Sequence, residues 1–370
     1  MKEIKAVDQK IRVLIVTADL SIGGGQQVVY ELAKNLKQDN IEAAVLCYAG
    51  HVDTAADKKA ADEFNVIYLN DKGNATFSKI RHILHAINEY SPDVVHAHLG
   101  GVFYSVIWAL LYHGKVAITA HTKPNQAFSK RIEPGIRFLL KKRKACIIGV
   151  SEENKLALQD YFSVTDERIQ CVNNGVDLDR FYRKNHSFFT YINVARQDEN
   201  KNQGAIIRCF GRIHKEHKNT RLLLLGDGPT HDALMEMAAE TVDDESIVFP
   251  GMVSNAEDYY AVSDVYVQSS HREAMPMSML EAMGAKLPLV ATDVGGLKDI
   301  VKANGVLVPD NDDDALYKAM ESVMLLPSEE YQSMCQKSGR IVENYSSNEM
   351  AKKYYEVYQS LVRMKIDGKK

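Results

Sequence analysis

The segment HREAMPMSMLEAMG sets two carboxylates, Glu273 and Glu281, with seven residues between them across what reads as a loop-to-helix transition. Pro276 suits the first helical position, because its missing N–H costs no hydrogen bond there and its fixed φ is already helical. A helix starting at Pro276 leaves Glu273 in the loop facing the helix N-terminus and Glu281 less than two turns inside. Both could reach a ligand at that terminus, where free N–H groups and the helix dipole favour phosphate oxygens. Carboxylates also accept hydrogen bonds from sugar hydroxyls, so one could hold a hexose and the other a ribose. The same stretch reads equally as an amphipathic helix with Met277, Leu280 and Met283 in the core and two solvated glutamates.

Arg196 and Lys201, in INVARQDENKNQ, follow an apolar run and precede a helical pattern. Two cations at the carboxyl edge of a sheet can neutralise a diphosphate and stabilise charge growing on a leaving group; taken alone they are also ordinary loop cations. Gly23, Gly24 and Gly25 lie between a strand and a helix, where residues without Cβ let backbone N–H groups approach a ligand, or simply make a tight turn. His98 closes DVVHAH and His121 closes VAITAH, so each is expected at a strand's carboxyl end rather than in the core. Lone histidines are commonly structural, and His96 and His98 are read as supporting the sheet edge.

These residues need a scaffold, and the pattern of the chain supplies one. IRVLIVTADL, SIGGG and QQVVYELAKNLKQ read as strand, glycine turn and helix; IEAAVLCYA, NVIYLN, SKIRHILHAINEY, DVVHAH, KVAITAH and CIIGVS continue the alternation. After CVNNGVDLDRF a second series begins: FTYINVAR, a helix over about 204–217, RLLLLGDG, a helix from His231, SIVFPG, DVYVQSS, PLVATDVGG and GVLVPD. Continuous β-branched runs alternating with helices imply right-handed crossovers and parallel sheets, with ligands at the carboxyl ends of strands. The expected domains are residues 1–174, residues 175–346, and a C-terminal amphipathic helix over 347–370 that crosses back to the first.

The 370 residues, 45% hydrophobic and 25% charged, have the composition of a two-domain globular enzyme. A net charge of −4 argues against a nucleic-acid partner. Cys47, Cys146, Cys171, Cys209 and Cys335 are odd in number and never form C-x-x-C, which favours buried reduced thiols. MKEIKAVDQK has no apolar core of a signal peptide, and the longest apolar stretch, about 102–112, falls short of the ~20 residues of a membrane span. A cytoplasmic location is therefore expected, peripheral at the membrane if the basic segment within 130–144 docks there. That segment, KRIEPGIRFLLKKRK, sets Lys130, Arg131, Arg137, Lys141, Lys142, Arg143 and Lys144 against Glu133. Such a cluster either docks on anionic lipid or is a solvated helix face.

HREAMPMSMLEAMG resembles the signature of glycosyltransferase family 4, the large group of retaining GT-B enzymes. The resemblance implies an α/β GT-B fold, two Rossmann-like doubly wound domains facing a central cleft. It also implies contact of Glu273 with the donor sugar and of Glu281 with the ribose, along the stretch Ala274, Met275, Pro276 and Met277. The family carries glycine directly after the first glutamate, where this chain has Ala274. INVARQDENKNQ resembles its R-x4-K element, which assigns Arg196 and Lys201 to the diphosphate. His121 matches the T-x-H position that touches the reacting sugar, Gly23 to Gly25 the loop over the donor phosphates and acceptor, and Asn174 and Gly175 the hinge. GDGP at 226–229 matches a strand-to-helix turn, and the D-V-G-G turn at 293–296 lies near the phosphate pocket. Backbone groups around Val248 and Gly251 would serve the nucleotide base.

The expected activity is transfer of a hexose-type sugar from a nucleoside-diphosphate donor, a UDP-sugar as in most such enzymes, to a glycan or lipid-linked glycan of a bacterial surface polysaccharide. With Arg196 and Lys201 present, and neither Asp177–Asp179 nor the acidic loop 310–314 placed like a metal-binding D-x-D, no metal is expected. Competing readings are a nucleotide-sugar epimerase or phosphorylase on the same scaffold, a non-catalytic nucleotide-sugar-binding subunit, and a dinucleotide-dependent dehydrogenase. The last lacks a G-x-G-x-x-G turn followed by an acidic ribose ligand.

Overall fold

The computed structural model describes residues 10–21, 23–36, 40–49 and 55–364; the first nine residues, whose charge argued against a leader, and the end of the last helical segment lie outside them. The chain divides into two compact units, Met1–Gly175 with Ser347–Lys370, and Val176–Ser346.

In the first unit the apolar runs form a seven-stranded parallel sheet: β1 (Ile11–Thr17), β2 (Ile41–Cys47), β3 (Val66–Tyr68), β4 (Val94–His98), β5 (Val116–Ala120), β6 (Ala145–Gly149) and β7 (Ile169–Cys171). Every residue of β4, β5 and β6 is buried, which is why these runs are continuous rather than alternating. The order β3-β2-β1-β4-β5-β6-β7 reverses direction between β1 and β4. The three-residue β7 is too short for periodicity to announce it. The helix Ser347–Arg363 belongs to this unit, packing on the helix Gly24–Asn35 and on β4, β5 and β6. Lys115 Nζ donates to the carbonyls of Leu361, Val362 and Met364 at 2.6, 2.7 and 3.2 Å, serving acceptors that a helix end leaves open.

The second unit holds a six-stranded parallel sheet, β8 (Phe189–Val194), β9 (Thr220–Leu225), β10 (Ile247–Gly251), β11 (Val265–Gln268), β12 (Leu289–Thr292) and β13 (Gly305–Val308), in the order β10-β9-β8-β11-β12-β13. Its reversal falls between β8 and β11. Tyr191, Ile206, Phe210, Leu222, Leu224, Val267 and Met320 fill the core between sheet and helices.

Three sequence expectations need correction. The helix of the glutamate segment is Met277–Gly284, so Pro276 stands at the N-cap with ψ 129° rather than inside the first turn; its φ of −72° suits either place. His98 is the last residue of β4 as expected, yet it is fully buried, because later elements cover that strand end. Among the cysteines, none of which forms a disulfide, Cys171 and Cys335 are only half-buried.

Candidate active site

The reversal of strand order opens a crevice at the carboxyl ends of the two central strands, the place where doubly wound sheets take their ligands. In the second unit the loops that follow β8 and β11 carry Arg196, Lys201 and Glu273 to that place. Lys201 Nζ donates to Glu273 Oε1 at 2.6 Å, with the two side chains 21% and 9% exposed. The backbone knits the loops together: Ser269 Oγ donates to the carbonyls of Lys201 and Asn202, His271 N to the carbonyl of Asn200, and Asn200 Nδ2 to the carbonyl of Arg272. Arg196 is 70% exposed and lies 3.8 Å from Asp198, so its guanidinium remains open to an anion.

Two glycines press these loops into place. A Cβ on Gly226 would come within 2.0 Å of the Ala195 carbonyl oxygen, and one on Gly295 within 1.8 Å of that of Glu273. Both have positive φ, 117° and 58°, where other residues are strained. The GDGP and D-V-G-G turns thus back the loops bearing Arg196 and Glu273.

Behind the lysine–glutamate pair runs a polar network. Gln268 Nε2 donates to Glu273 Oε1 at 2.6 Å, Tyr266 OH to Gln268 Oε1 at 2.8 Å, and Ser278 Oγ lies 2.8 Å from the same phenol. Tyr260 OH lies 3.0 Å from the Ser278 carbonyl and 3.2 Å from Glu281 Oε2. The two glutamates are therefore linked through Tyr260, Ser278, Tyr266 and Gln268, none of which the motif reading selected. Gln268 is nearly fully buried, and a glutamine ending an apolar strand was the available signal, since a buried amide must find partners. Burial raises the carboxyl pKa of Glu281 above its ordinary 4.5, with Arg180 and the Tyr260 hydrogen bond opposing the shift. It also pushes the Tyr260 and Tyr266 phenols far above 10, so both remain donors.

The remaining candidates of this unit are placed as follows. Ala274 is half-buried, Met275 and Met277 are buried, and Pro276 caps the helix. Val248 pairs with Leu223 on the outer strand β10, and the Gly251 carbonyl accepts from Gly226 N at 2.8 Å. The acids of the D-x-D strings have other work. Asp177 accepts from Asp179 N and Asp312 from Ala315 N, Asp310 pairs with His271, and Asp313 and Asp314 with Arg208 and Arg212. Among the described residues Glu216, His217 and Glu321 stand close enough to share a metal ion. They lie at helix C-termini, at the amino edge of the sheet and away from Glu273.

In the first unit, Gly23 precedes the helix Gly24–Asn35 after β1, and the place of a Gly25 Cβ is 3.0 Å from the Leu99 side chain. Gly23, Gly24, Gly25 and His98 flank the β1/β4 reversal, and His121 follows the neighbouring β5. His121 Nε2 is 3.0 Å from His98 Nδ1, and His96 bonds Thr119 Oγ1 and Tyr358 OH at 2.8 and 2.7 Å. Burial lowers the pKa of His121 to about 4 and of His96 to about 3.

Two doubly wound parallel sheets, each with its polar candidates at the reversal of strand order, are the layout of the GT-B fold. Residues 22–180 match the model of Glycosyltransferase Family 4, and residues 189–325 that of Glycosyl transferases group 1. The chain belongs to this family of glycosyltransferases. It is 26% identical to an uncharacterized glycosyltransferase of Methanocaldococcus jannaschii over 64% of this chain and 66% of that one. It is 24% identical to the N-acetyl-alpha-D-glucosaminyl L-malate synthase of Bacillus anthracis over 57% and 56%. The match thus spans less than two thirds of each relative's length. Anabaena HepE, solved in complex with UDP and glucose, superposes with a TM-score of 0.79 over 95% of this chain and all of that chain, at 15% identity.

Proposed function

We propose that this glycosyltransferase moves a hexose-type sugar from a UDP-sugar to a glycan or lipid-linked glycan of a bacterial surface polysaccharide, with retention of configuration and without a metal ion. The Lys201–Glu273 pair at the β8/β11 reversal, with the open guanidinium of Arg196 on the same loop, carries the reading. Two cations beside a helix N-terminus suit a diphosphate, and a mostly buried carboxylate already bound to one of them suits the hydroxyls of the attached sugar. The engagement of the nearby aspartates in caps and ion pairs supports charge neutralisation by Arg196 and Lys201 alone. UDP and glucose in the complex of a fold neighbour support the donor class.

In this mechanism the C1–O bond to the diphosphate breaks as Arg196, Lys201 and helix N-terminal amides take up its growing charge. The acceptor hydroxyl bonds to C1 from the same face, and its proton passes to the departing phosphate oxygen. No protein base is assigned. Glu273 orients the sugar, Glu281 the ribose, and His121 of the first unit touches the reacting sugar.

A thermal-shift screen against UDP, GDP, ADP, CMP and their common sugar conjugates tests this. We expect stabilisation by UDP and a UDP-sugar, lost in Arg196→Ala and Glu281→Ala; no shift with any nucleotide would end the reading.

The acceptor side has a candidate surface in the first unit. Of the basic residues of 130–144, Arg137 pairs with Glu133, Arg143 with Glu167, and Lys144 donates to the His113 carbonyl. Lys130, Arg131, Lys141 and Lys142 remain exposed beside Phe138, itself 51% exposed. No helix among the described residues is long and apolar enough to cross a membrane. At roughly 1 kcal/mol per basic residue, this face would hold the enzyme at anionic lipid at low salt. Sedimentation with phosphatidylglycerol vesicles, abolished by 0.5 M NaCl or by reversing the charge of Lys141 and Lys142, is expected; sedimentation unaffected by either would discard the electrostatic contact.

A further inference from the structure

His98 and His121 share one hydrogen bond, and only two arrangements of its proton are open to a neutral pair. In the first, His98 Nδ1–H donates to His121 Nε2, which leaves the N–H of His121 on Nδ1. In the second, His121 Nε2–H donates to His98 Nδ1, which leaves the N–H of His98 on Nε2. Burial keeps both rings neutral at physiological pH, and His96, its ring centroid 4.2 Å from that of His98 and tilted by 55°, adds a further unfavourable neighbour for any positive charge.

The two arrangements differ in what they leave unpaired. His98 is fully buried, and its Nε2 has no hydrogen-bond partner among the described residues. The second arrangement buries an N–H with nothing to accept it. The first leaves a bare lone pair there, and orphaned buried N–H groups are the rarer of the two. His121 is only half-buried, so its Nδ1 is the end of the pair that can reach a ligand. His96 does not compete for the proton, since both its nitrogens are engaged by Thr119 and Tyr358.

We infer that His98 is a positioning residue that holds His121 in the Nδ1–H tautomer, so that His121 offers the donor sugar a hydrogen-bond donor. The inference rests on the proposed role of His121 in sugar contact. It adds a specific consequence: His121 acts as a neutral donor to a sugar oxygen and not as the base that receives the acceptor proton.

Long-range 1H–15N spectra of the full chain with 15N-labelled histidine decide the tautomer. His121 signals are assigned by their loss in His121→Gln. We expect His121 Nδ1 to be protonated and Nε2 not; the reverse pattern in the wild type overturns the proposal without recourse to any variant. In His98→Leu, which has no donor, the Nδ1–H form should give way to a mixture. Affinity for UDP-glucose should then fall in step with the remaining Nδ1–H fraction, about two- to fivefold, while that for UDP, which has no sugar beyond its ribose, stays unchanged. His98→Asn, whose amide nitrogen sits where Nδ1 sat, should restore both. Unchanged tautomer and UDP-glucose affinity in His98→Leu would also overturn it. Failure of UDP-glucose and UDP to bind any form would fall on the donor reading, while the wild-type spectrum still decides the role of His98.

Discussion

Glu281, proposed to hold the ribose, shows what burying a carboxylate costs in stability. Its carboxylate is half-buried, accepts from Tyr260, and has a pKa raised above 4.5 by burial. A raised carboxyl pKa means that the folded protein resists ionisation, so this group's contribution is favourable below about pH 4 and is lost as pH rises through the folded value. Glu281→Gln keeps an oxygen for Tyr260 and removes the charge. At pH 7, without nucleotide, we expect the variant to melt above the wild type, and the two to converge near pH 4, as calorimetry across pH would show. With UDP present the order should reverse if Glu281 holds the ribose as proposed, because the substitution weakens that contact. A variant that melts lower at pH 7 would mean that Arg180 already outweighs burial.

At the scale of elements, the site depends on loops from different strands being held against one another. Gly295 is the tightest of these supports, since its Cα faces the Glu273 carbonyl oxygen with no room for a methyl group. Gly295→Ala adds left-handed strain of about 1 kcal/mol and a clash that only movement of the Glu273 loop can relieve. The expected result is a fall of about 1–3 kcal/mol in urea stability together with loss of UDP-sugar binding. Retained binding would show that the loop carrying Glu273 yields without harm. The histidines of the first unit depend likewise on an element distant in sequence: Tyr354 and Tyr358, on the C-terminal helix, bond Thr119 and His96.

For the whole molecule, that helix decides whether the first unit folds. Met350, Tyr354, Val357, Tyr358 and Leu361 are all buried. At about 1.5–3 kcal/mol per buried side chain, their loss rivals the entire stability of a domain, about 5–15 kcal/mol. A chain ending at residue 346 should therefore lose the first unit and keep the second. Trp108, the sole tryptophan and a buried residue of the first unit, reports this directly. Its emission should shift to that of a solvated indole, while circular dichroism retains the melting transition of the second unit. Native-like tryptophan emission would show that the first unit folds without its last helix.

The alternation of strands and helices was legible in the sequence because strands buried on both faces must be apolar throughout and the intervening helices must be amphipathic. The glycine turns were legible for the same kind of reason, being local demands of the backbone, whereas the R-x4-K and E-x7-E pairs stood out from ordinary loop cations and solvated glutamates only through their resemblance to the family. The partnership of Lys201 with Glu273 across 72 positions, the line of Tyr266, Gln268 and Ser278 behind it, and the burial of His98 required the tertiary structure. Strand order sets which loops become neighbours, and nothing in a strand's own composition records the strand beside it. Sequence by itself determined what the long apolar and amphipathic segments would become, though not the short β7 or the first residue of the Met277–Gly284 helix; only packing decided which side chains would meet, because hydrogen bonds between loops form after the sheet has brought their ends together.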